Sequence, residues 1–137
     1  MSDRGIFITQ FDKDRLLELI RVAEDFGTGR QDLRDLREEL ERATLVPSED
    51  IPASVVTMNS RVVLRDVDSE QPMTVSLVFP ADADASAGAI SVLAPVGTAI
   101  LGYSETDIVE WPVPAGMRRI RVEKVLYQPE AAGDFDL

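Results

Sequence analysis

The chain has 137 residues without cysteine or histidine, and its 14 basic and 25 acidic residues give a net charge of −11. This length predicts one compact domain with room for one protruding element. The missing cysteines exclude disulfides and thiolate metal sites, and the missing histidines remove the commonest general base and zinc ligand. The negative charge disfavours direct binding to nucleic-acid phosphates and favours a basic protein partner, although it also promotes solubility by itself.

The chain shows no membrane or export signal. No apolar run approaches the roughly 20 residues that a membrane-spanning helix needs. The first residues, MSDRGIFITQFD, lack the apolar core of a signal peptide. We therefore expect a cytoplasmic protein that does not contact a membrane.

Two helices are predicted within residues 1–46. Thr9 is a candidate N-cap, with Asp12 three residues later as a weak form of the capping box. Gly27 and Gly29 interrupt the helical pattern, which predicts a short antiparallel, coiled-coil-like hairpin about 20 Å long. Its apolar side chains recur every three or four residues and form one stripe on each helix: Leu16, Leu19, Ile20, Ala23 and Phe26, then Leu33, Leu36, Leu40 and Ala43.

Residues 51–137 are predicted to form a β domain, because the apolar period changes there from 3.6 to 2. The alternation of apolar and polar residues in MTVSLVF, residues 73–79, is typical of a half-buried strand. A short helix is predicted at 95–101, between Pro95 and Gly102. The class is α+β, with an antiparallel sheet of about five strands and the hairpin helices segregated at the N-terminus. The other predicted strands are 62–67, 90–93, 108–113 and 118–127.

Carboxylates flank the turn of the predicted hairpin at Glu24, Asp25 and Asp32. Such oxygen ligands could hold Mg²⁺, which often uses only one or two protein carboxylates. Acidic residues beside a surface turn are common, however, and Arg30 lowers the local negative charge. A solvated tip is the favoured interpretation, and we expect neither a metal site nor a cofactor.

The chain offers little material for catalysis. A serine or threonine nucleophile would need a lysine here, and the only lysines, Lys13 and Lys124, lie outside any stretch that resembles an active-site loop. The sequence GTGR at 27–30 lacks the following Lys-Ser/Thr of a nucleotide-binding loop. We therefore expect that the protein is not an enzyme.

The last predicted strand carries four basic residues: Arg118, Arg119, Arg121 and Lys124. Arg119 and Arg121 share the face of the strand opposite to the apolar residues. They could form a docking patch for an acidic surface, but pairing with Glu110 and its neighbours across the sheet is the favoured interpretation.

Four segments carry a family resemblance: LERATLVPSEDIPASVVTMNSRV (40–62), ISVLAPVGTAILGY (90–103), VEWPVPAG (109–116) and VLYQPEAAGDF (125–135). They resemble the regulator-of-nucleoside-diphosphate-kinase family, Rnk, which is related to the Gre transcript-cleavage factors. The resemblance extends over nearly the whole chain. It implies that 1–46 is a shortened counterpart of the Gre coiled coil, and that 51–137 has the FKBP-like fold of the Gre C-terminal domain.

The resemblance also implies a function. In Gre factors the C-terminal domain docks on bacterial RNA polymerase at the rim of the secondary channel. Their coiled coil enters that channel, where acidic tip residues help to hold Mg²⁺ for cleavage of backtracked RNA. A hairpin of about 20 Å falls short of such a probe. We therefore expect an RNA polymerase-binding regulator that competes with Gre factors and does not stimulate RNA cleavage.

The residues expected to bind RNA polymerase are Glu24, Asp25 and Asp32 at the tip and Thr57, Asn59, Ser60, Arg61 and Asp107 in the β domain. The loop SETD at 104–107 departs from related sequences, which tend to place a glycine before the aspartate. One alternative function is a Gre-like cleavage stimulator with tip carboxylates as metal ligands. Another is a peptidyl-prolyl isomerase, suggested by fold analogy alone. We expect a monomer, although the apolar stripes could also pair across a dimer.

Overall fold

The computed structural model describes residues 6–25, 31–113 and 116–134. The helices in these ranges are α1 (Gln10–Asp25), α2 (Gln31–Arg42), α3 (Pro95–Ile100) and α4 (Pro129–Ala132). The strands are β1 (Phe7–Thr9), β2 (Thr44–Val46), β3 (Arg61–Asp66), β4 (Pro72–Val78), β5 (Ala89–Ser91), β6 (Ile108–Val113) and β7 (Gly116–Tyr127). The predicted α+β class is therefore confirmed. None of the helices in the described ranges combines the length and apolar character that a membrane crossing requires.

Helices α1 and α2 bury most of the described stripe residues, but Leu19 is half-buried, and Ala43 is half-buried and follows the end of α2. The Asp12 N–H donates to Thr9 Oγ1 at 3.0 Å, which confirms the cap at the start of α1. Phe26 lies outside the described residues, and so does the side chain of Ala23. The stripe residues that are at most 1% exposed are Leu16, Ile20, Leu33, Leu36 and Leu40.

A small parallel sheet joins the start of α1 to the end of α2. Phe7 of β1 pairs with Thr44 of β2, and Thr9 pairs with Val46. Sequence analysis did not predict these strands, because three residues are too few to show a period of two. The antiparallel hairpin stays a prediction, since 26–30 lie outside the described residues, but this pairing supports it by placing those two helix ends side by side.

The main sheet has five strands in the order β5-β4-β3-β7-β6. Three neighbouring pairs are antiparallel, whereas β4 and β5 run parallel. The prediction of an all-antiparallel sheet is therefore wrong at one interface. The connection 79–88 is a long loop containing two 3₁₀ turns, and it carries the chain back so that β5 begins beside β4 in the same direction.

One apolar core contains side chains from both helices and from the sheet. Leu36 and Leu40 of α2 belong to the same cluster as Val62, Leu64 and Ile120 of the sheet. The predicted division into 1–46 and 51–137 stays a prediction. The shared core nevertheless means that α2 contributes to the packing of the sheet.

The predicted short helix is confirmed as α3, which packs very closely against the end of β5. A Cβ atom added at Gly97 would lie 2.2 Å from the Ser91 carbonyl oxygen. The Thr98 hydroxyl donates to the Val92 carbonyl oxygen at 2.6 Å and fixes the helix from the same side. Gly102 follows the helix with φ +85°, the left-handed conformation that glycine adopts without strain.

Candidate functional site

The turn 57–60 and Arg61, the first residue of β3, together include four of the residues expected to bind a partner. Two of them point inward: Thr57 and Ser60 are at most 1% exposed. The Ser60 hydroxyl oxygen accepts from the Thr57 N–H at 2.9 Å, and the two hydroxyl oxygens are also 2.9 Å apart. These hydrogen bonds therefore fix the conformation of the turn. Thr57 and Ser60 could affect the binding of a partner only by keeping that conformation.

Asn59 and Arg61 are the less buried members of this set: Asn59 is half-buried and Arg61 is exposed. Asn59 has φ +67°, in the left-handed region that asparagine tolerates better than most residues. Its N–H donates to the Leu77 carbonyl oxygen at 2.6 Å, which fixes the turn against β4. Arg61 is exposed at the start of β3. The turn therefore offers one amide and one guanidinium group to a partner.

The loop 102–107, which carries Asp107, lies beside the segment that leads into this turn. The Val56 N–H donates to the Tyr103 carbonyl oxygen at 2.8 Å, and the Gly102 N–H donates back to the Val56 carbonyl oxygen at 2.9 Å. Val55 and Ser104 form an antiparallel bridge next to them. The structure thus brings the two predicted contact segments of the β domain together.

The loop itself holds Thr106 at φ +77°. The Asp107 carboxylate accepts from the Ser104 N–H at 2.9 Å, and the Thr106 N–H donates to the Val122 carbonyl oxygen at 2.7 Å. A β-branched residue rarely adopts positive φ, because its side chain crowds the backbone. Thr106 thus adopts a strained conformation at the position before Asp107, where we expect related proteins to have glycine.

We expect Thr106→Gly to raise the free energy of unfolding by about 1 kcal/mol. The substitution removes the strain of a β-branched residue at positive φ, and the extra freedom of glycine in the unfolded chain offsets part of the gain. Urea unfolding measures the change. Thr74→Gly in the extended strand β4 is the control and should lower stability. A Thr106→Gly protein no more stable than the parent would contradict the strain.

The tip carboxylates lie in a different part of the molecule. Glu24 and Asp25 end α1, Asp32 is in the first turn of α2, and their side chains lie outside the described residues. At 1.5 Å per residue, Asp25 is about 20 Å along the axis of α1 from Asp12 near the base. Among the side chains that the structure describes, no three acidic groups are placed to hold a metal ion. The predicted site residues therefore form two separate sets.

A buried polar cluster joins α1, the turn and α4. The Met58 N–H donates to Asp12 Oδ2 at 3.0 Å, and Arg15 donates to Asp12 Oδ1 at 2.6 Å. The Thr57 hydroxyl donates to Glu130 Oε1 at 2.8 Å. The pKa of Asp12 is raised to about 6: burial is the main cause, the hydrogen bonds from Arg15 and Met58 oppose it, and the negative charge of Glu130 adds a smaller upward shift.

Gln128 completes this connection. Its Nε2 donates to the Pro52 and Val55 carbonyl oxygens, both at 2.8 Å, and its Oε1 accepts from the Ala131 N–H at the start of α4. Hydrogen bonds therefore join two segments of the chain that carry the family resemblance, IPASVVTMNSRV and YQPEAAGDF. This contact is not predictable from the sequence, because nothing in a single sequence pairs polar residues more than 70 positions apart.

The basic residues of β7 pair with acidic neighbours. Arg118 forms an ion pair with Asp66, and Arg119 pairs with Asp68 at 2.7 Å. These acids lie at the end of β3 and in the loop after it. Arg118 and Arg119 therefore form ion pairs with neighbouring acids, but their partners are Asp66 and Asp68 and not the expected Glu110.

An open groove of about 460 Å³ runs along α1, lined by Arg15, Glu18, Leu19, Val22 and Phe79. The guanidinium carbon of Arg15 lies 4.8 Å from the centre of the Phe79 ring. Phe79 is the single aromatic residue of this lining. The groove therefore gives no support to the isomerase alternative, which requires a concave pocket lined by aromatic residues.

Comparisons with known families match both parts of the chain. Residues 51–127 match the family described as transcription elongation factor GreA/GreB, C-terminal. Residues 4–46 match the family described as Rnk N-terminus. The two matches meet close to the boundary that the sequence predicts between the helices and the β domain.

Individual proteins of both families are similar to this chain. The regulator of nucleoside diphosphate kinase of Escherichia coli K12 is 38% identical over 136 residues, 98% of each chain. The transcription elongation factor GreA of Hyphomonas neptunium is 34% identical over 105 residues, 77% of this chain and 66% of that protein. The solved structure of a GreA/GreB elongation factor from Nitrosomonas europaea superposes with a TM-score of 0.75 at 40% identity, covering 91% of this chain and all of that one.

Proposed function

Because this chain belongs to the Rnk family of GreA/GreB-related proteins, we propose that it binds bacterial RNA polymerase near the secondary channel and competes with Gre factors without stimulating RNA cleavage. It is then a transcription regulator and not an enzyme, it acts in the cytoplasm as a monomer, and it needs no cofactor. The main support for the proposal is the similarity over 98% of the chain to the Escherichia coli regulator of nucleoside diphosphate kinase. The match of residues 51–127 to the GreA/GreB C-terminal family adds to it.

The lengths of the helices support the absence of cleavage. Helix α1 has 16 residues and α2 has 12, which correspond to about 24 and 18 Å at 1.5 Å per residue. A hairpin of this size would reach the mouth of a deep channel but not a catalytic centre at its end. The tip carboxylates would then contact basic residues at the rim instead of a metal ion.

We propose a binding surface with two parts. The first is the FKBP-like domain at 51–137, where Asn59 is half-buried, Arg61 is exposed and Asp107 lies in the adjoining loop. Thr57 and Ser60 contribute by holding the turn. The second part is the acidic tip at Glu24, Asp25 and Asp32. The tip lies about 20 Å along α1 from Asp12, which contacts Met58 beside the first part, and this separation would let the protein bind the polymerase at two places.

A competition assay on purified core RNA polymerase tests the proposal. The parent protein should displace a Gre factor, and neutralising the tip with Glu24→Gln, Asp25→Asn and Asp32→Asn should weaken displacement by about tenfold through lost charge complementarity. The control changes net charge equally at exposed positions elsewhere, with Glu41→Gln, Asp50→Asn and Asp82→Asn. No displacement by the parent protein at moderate salt would contradict the proposal, and equal effects of the two triple variants would remove the tip from it.

Two further assays separate the alternatives. Transcript cleavage in stalled complexes should not rise when the protein is bound, and cleavage that disappears in Asp25→Asn would favour the cleavage stimulator. Proline isomerisation should run no faster than the uncatalysed control. Acceleration there would favour the isomerase.

A further inference from the structure

The first turn of α1 is fastened to the β domain by a buried carboxylate. Asp12 is fully buried, and so is Met58, whose N–H donates to Asp12 Oδ2 at 3.0 Å. The two residues are 46 positions apart in the chain. A buried N–H without its acceptor is costly, so this contact holds the base of α1 to the turn.

Three elements present groups to Asp12. Its own helix supplies Arg15, a partly buried guanidinium that donates to Oδ1 and also lies 4.0 Å from the Phe11 ring centre. The turn supplies the neutral Met58 N–H. Helix α4 supplies Glu130, a second buried carboxylate, which accepts from the Thr57 hydroxyl. Asp12 is thus a buried carboxylate with a second buried carboxylate near it, and its one cationic partner, Arg15, has a side chain that is 27% exposed.

We propose that Asp12 is a proton-sensitive latch, whose protonation fastens the first turn of α1 more firmly to the Thr57–Ser60 turn. The latch is a property of the free protein and does not depend on polymerase binding. When the proton is on Oδ1, Oδ2 still accepts from the Met58 N–H. Arg15 then loses its ion pair with Oδ1 and keeps its contacts with the rings of Phe11 and Phe79.

The direction follows from linkage. The pKa of Asp12 is raised to about 6 in the fastened state, against 3.8 for an exposed aspartate. The fastened state therefore binds the proton more tightly than an opened state in which water reaches Asp12, and acid favours the fastened state. The contribution of Asp12 to stability is greatest below pH 3.8, falls as the pH rises from 3.8 to 6, and is constant above.

Amide hydrogen exchange of Met58 in the full chain measures the latch directly. After correction for intrinsic exchange, the opening constant should be about tenfold lower at pH 5 than at pH 7. Asp12→Asn should remove this dependence, because the amide cannot take up the proton. Asp14→Asn, an exposed change on the same helix, is the matched control and should keep it. An unchanged opening constant in the parent protein, or the full dependence in Asp12→Asn, would overturn the proposal.

A second pair of measurements covers the case in which Asp12→Asn does not fold. Glu130→Gln keeps an acceptor for the Thr57 hydroxyl but removes the neighbouring negative charge, so the midpoint of the Met58 dependence should move to lower pH. The Asp12 carboxyl carbon can also be titrated by NMR in the parent protein. A midpoint near 6 supports the latch, and one near that of an exposed aspartate overturns it.

Discussion

Gly97→Ala should lower the free energy of unfolding by about 3 kcal/mol, the upper part of the usual range for overpacking. The new Cβ would lie 2.2 Å from the Ser91 carbonyl oxygen and 3.1 Å from the Val92 Cα. Both atoms belong to the backbone, so α3 or β5 must move. Helix propensity acts in the opposite direction, since alanine is better than glycine inside a helix by about 1 kcal/mol. A loss of stability therefore indicates close contact between α3 and β5, and a gain indicates that helix propensity outweighs it.

Urea unfolding of the purified variant measures this effect. Gly133→Ala is the control, because an added Cβ there has no neighbour within 4 Å and only the positive φ of +83° opposes it. The control should lose about 1 kcal/mol. A Gly97→Ala protein as stable as the parent, or more stable, would show that α3 can shift away from β5 at little cost.

Leu36→Ala should destabilise the sheet and the helices together, by roughly 3 kcal/mol. Leu36 is fully buried on α2 and lies in the same apolar cluster as Val62 and Leu64 of β3. Truncation removes favourable burial and leaves a cavity, and the surrounding side chains refill it only in part. Because the cavity would lie in a shared core, the loss should reach strands far from α2 in sequence.

Hydrogen exchange tests whether the loss is shared. Amide protection at Leu40 in α2 and at Leu64 in β3 should fall by the same factor, together with the urea midpoint. Leu45→Ala is the control, since Leu45 is 40% exposed and its truncation should cost well under half as much. Unchanged protection at Leu64 would instead show that 51–137 is stable by itself, as the predicted division into two domains requires.

Periodicity in the sequence was enough to predict most elements. The spacing of Leu33, Leu36 and Leu40 identified the buried side of α2, and the alternation in 73–79 identified β4. These signals are local, because each helix or strand repeats its pattern over several residues. The short helix α3 was also predictable from Pro95 at its start and Gly102 after its end.

The features that were not predicted depend on contacts between distant residues. Nothing in the sequence near Asp12 indicates that its carboxylate accepts from Met58, and nothing near Glu130 indicates the Thr57 hydroxyl. The parallel direction of β5 depends on the path of the loop before it, which periodicity does not record. The positive φ of Thr106 is not predictable from the sequence, because threonine rarely adopts that conformation.

The candidate site shows the same limit. The family resemblance places Thr57 and Ser60 at a partner surface, within the motif IPASVVTMNSRV. Residue type does not say whether a hydroxyl points outward: the Ser60 hydroxyl oxygen accepts within the turn, and the Thr57 hydroxyl donates to Glu130 of α4. The motif therefore contributes to a buried polar connection, and its less buried members are Asn59, which is half-buried, and Arg61, which is exposed.

The pairing of β1 with β2 has a consequence for how far such a protein can extend. Since Phe7 is fixed beside Thr44 and Thr9 beside Val46, the chain enters and leaves the helical pair at one anchored point. Matched insertions of seven residues in each helix would lengthen the pair by about 10 Å and keep its apolar seam in register. The length of the helical pair can thus change in steps during evolution while its attachment to the rest of the fold is preserved. Proteins with long and short helical pairs can therefore share the same β domain.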